Sequence, residues 1–176
     1  MDDQAIEIRL AGVQDLDSIM RLETQAFPRG WSARSWAEEI HDHYVAVGYS
    51  NHGMGVIAMS TVAGTAELHR IIVAPQAQGH GLGRALVSHG LEWSARFGST
   101  QVFLEVSAGN QAAIGLYESC GFTLLDRRAD YYEPGDDALV YRRVIPPTDP
   151  VILAQFDSES VNQLSATPEE ESCPNR

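Results

Sequence analysis

Apolar residues recur at two different periods along the first 145 positions, and the switches between them predict the elements. Ile6, Ile8 and Leu10 alternate with Glu7 and Arg9, which predicts an opening strand with one buried face. Leu16, Ile19, Met20 and Phe27 then follow helical spacing, with Asp15 and Asp17 in the first turn, where the helix dipole favours acids. Pro28-Arg29-Gly30 breaks that helix, and Ser32 suits the N-cap of a second, short helix that buries Trp36 and Ile40. Apolar runs at 45–47, 56–59 and 68–73, parted by Gly, Ser and Asn, predict an antiparallel meander. Leu82, Leu86, Trp93 and Phe97 mark an amphipathic helix closed by Gly98. Residues 102–106 read as a strand covered on both faces, interrupted by Glu105. Asn110 can cap a helix that ends near Cys120 with Gly121 just beyond it, and strands at 122–127 and 138–145 complete the pattern. The order β-α-α-β-β-β-α-β-α-β-β predicts an α/β domain with a mixed central sheet flanked by helices.

After Pro146-Pro147 the composition shifts, which predicts a domain over 1–146 and an acidic, flexible tail over 147–176. With 176 residues, 44% of them apolar, the chain can bury a core of its own. Asp and Glu number 24 against 12 bases, all of them Arg, for a net charge of −12. That balance excludes a protein that tracks nucleic-acid phosphates, and it excludes a polybasic membrane anchor. An acidic start, no apolar run of about 18 residues and only two cysteines, Cys120 and Cys173, predict a soluble cytoplasmic protein.

Between a predicted strand and a predicted helix lies Gln78-Gly79-His80-Gly81-Leu82-Gly83-Arg84. Alternating glycines let backbone N–H groups converge on one point, and the following helix directs its positive end there. The alternative is a Gly-rich turn that binds nothing. A Walker A loop requires Lys, which this chain lacks, and a dinucleotide fingerprint requires Gly where Arg84 or Leu86 stands. His41-Asp42-His43 suggests a metal pair, but no third ligand follows at a useful spacing, so the segment reads as a solvated loop and no metal is expected.

Gln78-x-x-Gly81-x-Gly83 resembles the pyrophosphate motif of the GNAT acyl-CoA N-acyltransferases. Leu104-Glu105-Val106, Asn110, Leu116-Tyr117-Glu118-Ser119 and Gly121-Phe122 are similar to the second half of that family. Phe27, Trp31-Ser32 and Arg127-Arg128-x-x-Tyr131-Tyr132 narrow the resemblance to the RimI-type ribosomal-protein-alanine N-acetyltransferases. It covers about residues 5–145, with Gly30 standing where these enzymes often have Pro. The resemblance implies an acetyl-CoA-dependent enzyme whose acceptor is the N-terminal alanine of small-subunit ribosomal protein eighteen. It implies Glu105 as general base, Tyr117 as acid or thiolate stabiliser, and direct attack by the amine without an acyl-enzyme. Gly79, His80, Gly81, Leu82, Gly83 and Arg84, with Asn110 and the backbone of Ile71, Ile72 and Val73, would hold the cofactor. Trp31, Tyr131 and Tyr132 would face the peptide.

On residues alone, Glu105 is equally a strand-end carboxylate paired with an Arg, and Asn110 and Tyr117 are equally a cap and a core residue. Acceptors such as protein lysine or a small amine fit the same motifs, as does a non-catalytic acyl-CoA sensor. The stretch 67–98 carries Arg70, Arg84 and Arg96 against Glu67 and Glu92, so the acid excess avoids the predicted anion site. An acidic remainder would attract a basic peptide at long range.

Overall fold

A strand that begins as the neighbour of another and then leaves it is the feature on which this fold turns. The computed structural model describes residues 6–133 and 135–146; the predicted tail over 147–176, with Cys173, lies outside the described residues. In chain order the elements are β1 (Glu7–Leu10), α1 (Leu16–Ala26), α2 (Ala33–Asp42), β2 (Tyr44–Ser50), β3 (Gly53–Val62) and β4 (Thr65–Val73), then α3 (Leu82–Arg96), β5 (Gln101–Ser107), α4 (Gln111–Ser119), β6 (Thr123–Glu133) and β7 (Asp136–Val144). The strands form one sheet in the order β1-β2-β3-β4-β5-β7-β6, in which only β4 and β5 are described as a parallel pair.

Local chemistry accounts for the helix ends. Ser32 Oγ accepts from Ser35 N at 3.1 Å, and Asn110 Oδ1 accepts from Ala113 N at 3.1 Å, satisfying N–H groups that a helix start leaves open. Gly121 takes φ of 81° just past the end of α4, as its predicted place there requires. Ile19, Trp36, Val47, Ile57, Leu82, Leu86, Val102 and Leu104 are fully or almost fully buried between the sheet and its helices.

Three expected core positions are instead open to solvent. Leu10 is 53% exposed because β1 is an edge strand, Phe97 is 57% exposed at the C-cap of α3, and Phe27 stands just past the end of α1. His41 and Asp42 end α2 rather than lying in a loop, and His43 is its C-cap.

Two irregularities in β4 coincide. Its register against β3 runs Met59↔Leu68 and then Ala58↔Arg70, so His69 is an extra residue, a β-bulge. Its pairing with β5 runs from Thr65↔Gln101 to Leu68↔Leu104 and stops there, although β4 continues to Val73 and β5 to Ser107. The strands part at the bulge.

Candidate active site

The bulge decides which way each side chain of the second half of β4 points. Ile57 and Met59 face α3, since a Cβ added to Gly90 of that helix would meet both. Cross-strand partners project to the same side, so Leu68, opposite Met59, also faces α3. One inserted residue reverses the alternation beyond it. Arg70 therefore turns to the α1 face, and Ile71, opposite Ile57, turns back toward α3. In a regular strand without the bulge, Arg70, two residues on, would share the side of Leu68.

On the α3 side the end of β4 borders a cavity of about 520 Å³ lined by Ile71, Val73, Gln78, Gly79, Gly81, Gly83 and Arg84, and by Ala112, Ala113, Gly115, Leu116 and Ser119 of α4. Gly79 and Gly81 have φ of 77° and 86°, values that other residues adopt only with strain. A Cβ on either would point into open space rather than into protein, so these turns keep their backbone bare toward the cavity. Gly81 is the N-cap of α3 and supplies no side-chain cap, which leaves the first N–H groups of a 15-residue helix open beside Arg84. Such a cradle fits a pyrophosphate.

Of the residues predicted to hold the cofactor, Ile71, Val73, Gly79, Gly81, Gly83 and Arg84 line this cavity, whereas Ile72 and Leu82 are buried in the core and do not. The His80 ring stacks on His52 of the β2–β3 turn, with centroids 3.8 Å apart. Asn110 caps α4. Gln78 Nε2 donates to Val73 O at 3.1 Å, fixing the loop to the end of β4.

Glu105 is the first residue of β5 past the last pair with β4. Its Oε1 accepts from Arg128 Nη1 of β6 at 2.5 Å, so it has the Arg partner that a structural role would also give it. Tyr117 is 5% exposed, packs on Phe122 with centroids 5.9 Å apart, and has no hydrogen bond to its hydroxyl among the described residues. Burial pushes the Tyr117 phenol well above its ordinary value. The Tyr132 phenol is also raised, first by burial and then by the Glu105 charge, with Arg70 opposing. Tyr132 thus feels both charged groups.

The surroundings of Tyr132 are aromatic. Tyr131 and Tyr132 meet edge to face at 5.1 Å, and Arg128 lies 5.5 Å from the Tyr131 ring. Across from them, Arg70 lies over Phe27 at 4.3 Å and over Trp31 at 4.5 Å. Trp31 also borders a second cavity of about 300 Å³, shared with Ser35, Glu38, Glu39, Asp42 and His43. Behind it, Glu39 Oε1 accepts from His69 Nδ1 at 2.5 Å, which raises the imidazole above its ordinary range. Among the described residues no group of three ligand-type side chains could hold a metal ion.

Sequence reasoning gives no site role to Glu23, Arg70 or Arg128. Glu23 carries a visible signal: it lies four residues after Ile19, on the stripe that α1 buries, where a carboxylate needs a partner. Arg128 and Glu105 are 23 residues apart and meet only through the sheet.

Residues 16–122 match the model of the acetyltransferase (GNAT) family. The chain is 35% identical over 131 residues to the [ribosomal protein bS18]-alanine N-acetyltransferase of Escherichia coli K12, covering 72% of this chain and 88% of that one. It is 34% identical over 152 residues to the N-alpha-acetyltransferase RimI of Mycobacterium tuberculosis, covering 81% and 94%. Its fold is similar to the crystal structure of the E. coli ribosomal-protein-S18-alanine N-acetyltransferase, with a TM-score of 0.74 at 30% identity over 82% of this chain and 97% of that one. The parted strands, the bare glycine loop and these similarities lead to one conclusion: the chain belongs to the GNAT acetyltransferase family.

Proposed function

We propose that this protein transfers the acetyl group of acetyl-CoA to the α-amine of a protein N-terminus, and that its acceptor is the N-terminal alanine of small-subunit ribosomal protein eighteen. The observation that carries this reading is the position of Glu105, a carboxylate on β5 just past its last pair with β4, held by Arg128 and close enough to Tyr132 to act on its phenol. Acetyl-CoA supplies the acetyl group as a reactive thioester. Gly79, Gly81 and the N–H groups that open α3 would hold its pyrophosphate, and the backbone of 71–73 would lie along its acyl arm.

An amine attacks only when neutral. An α-amine of pKa near 8 is about one-tenth neutral at pH 7, whereas a lysine is neutral in roughly one part in 2,500. In this reading Glu105 takes the proton of the bound ammonium, directly or through one water, and the neutral amine then attacks the thioester carbonyl. Arg128 fixes the carboxylate's orientation from β6. Backbone N–H groups of β4 beyond Leu68, free of β5, can polarise the acetyl carbonyl. Tyr117 holds its proton more tightly than an ordinary phenol does, and far more tightly than a thiol of pKa about 8.5. Its part is therefore a hydrogen bond to the departing sulfur rather than full proton transfer.

The acceptor side favours a basic peptide, because Glu38, Glu39 and Asp42 line the cavity beside Trp31 in a chain of net charge −12. The reading carries a cytoplasmic location, and no described helix is long and apolar enough to cross a membrane. A panel of acceptors tests it: a peptide with N-terminal alanine and basic residues after it, an α-blocked lysine peptide, and a small amine. The free N-terminus should be modified fastest; preference for either other acceptor would overturn the substrate assignment.

A further inference from the structure

Glu23 is 1% exposed, and both its carboxylate oxygens are in use. Oε1 accepts from Trp31 N at 2.7 Å and from Arg70 Nη1 at 2.8 Å, while Oε2 accepts from the Trp36 Nε1 at 3.1 Å. A Cβ at Gly30 would lie 2.3 Å from Oε1, so this glycine lets the chain pass close enough for the Trp31 N–H to reach the acid. One buried carboxylate thereby joins α1, α2, the segment between them and β4.

A buried ion pair is a poor device for stability alone, because well-packed apolar residues often do as well or better in its place. What the pair adds is geometry. Arg70 is turned toward α1 by the bulge at His69, and its planar guanidinium lies over Phe27 and Trp31 while bound to Glu23. Its neighbour in β4, Ile71, faces the other way and lines the cofactor cavity. The acceptor-side segment is thus tied to the residue next to the wall of that cavity.

We propose that Glu23 and Arg70 form a latch that sets the distance between the acceptor side and the acetyl-holding strand, with Arg70 a positioning residue for the incoming amine. The proposal rests on reading the Phe27 and Trp31 side as the acceptor side. It assigns to the latch an effect on acceptor binding that acetyl-CoA binding does not share.

Two variants of the full chain test it. R70K keeps a cation beside Glu23 but loses the flat group over the two rings, and F27L removes one ring at a partly exposed position. Each is assayed at a temperature where circular dichroism shows it folded, with acetyl-CoA affinity measured by calorimetry. For R70K the acceptor KM should rise about tenfold while kcat stays within about threefold and the acetyl-CoA Kd within about twofold, the signature of lost ground-state positioning. F27L should move the acceptor KM in the same direction by about threefold. An unchanged acceptor KM in both variants, or an acetyl-CoA Kd that rises as much as the acceptor KM, would overturn the latch. If the unmodified protein acetylates a small amine and no peptide, the N-terminal reading falls, and the latch is judged on that amine by the same ratios.

Discussion

Arg128 Nη1 and Glu105 Oε1 are 2.5 Å apart, joining β6 to the first residue of β5 that has left β4. The same residue is partly exposed and bound to a cation. The arrangement allows a base whose direction is fixed rather than one free to rotate.

Replacing that carboxylate should be costly where the amine is charged. E105Q is expected to lower kcat by about a hundredfold or more at pH 7, the usual range for a general base. The deficit should shrink as the pH is raised past about 8, where an α-amine deprotonates unaided. R128Q, which releases the carboxylate's orientation, should cost about tenfold in kcat with little change in acetyl-CoA KM. Pre-steady-state rates across pH 6–9 check all three outcomes.

Tyr117 gives a second prediction. Y117F keeps the ring on Phe122 and removes only the hydroxyl, so folding should be unchanged and kcat should fall by roughly ten- to a hundredfold. Acetyl-CoA affinity, read by calorimetry, should stay the same.

At the glycine loop, G81A places a methyl group in the open cradle and forces a positive φ on alanine. We expect a stability loss of about 1–2 kcal/mol from the backbone and at least a tenfold weaker acetyl-CoA Kd. Urea unfolding and calorimetry separate the two effects.

His69 supplies a pH-dependent term. Its hydrogen bond to Glu39 raises its folded-state pKa, so its stabilisation is fully present below the unfolded value near 6.5 and is lost as pH rises through the raised folded value. The gap in urea midpoint between the unmodified protein and H69Q should therefore be widest near pH 6 and narrow above neutrality. Half-buried His89 is lowered instead, and its contribution runs the opposite way, fading as the solution turns acidic.

What the sequence makes legible here is local. Ser32, Asn110 and Gly121 announce their helix ends because capping needs only a few neighbouring residues. The glycine loop is legible for the same reason. Leu10, Phe27 and Phe97 fit apolar periods and yet face solvent, since periodicity does not show which strand lies at an edge or where a helix stops. The bulge at His69 is a register event between β3 and β4 and leaves no mark in composition. It is also what sends Arg70 to Glu23 and Ile71 to the cavity, so the division of the site into two sides is a product of pairing.

The central claim is that the acceptor is an N-terminal α-amine. One peptide carrying both an N-terminal alanine and an internal lysine, incubated with acetyl-CoA and mapped by tandem mass spectrometry, tests it most directly. The acetyl group should appear on the alanine nitrogen, and about a hundredfold more slowly with E105Q at pH 7. Acetyl on the lysine side chain with a free N-terminus would contradict the account.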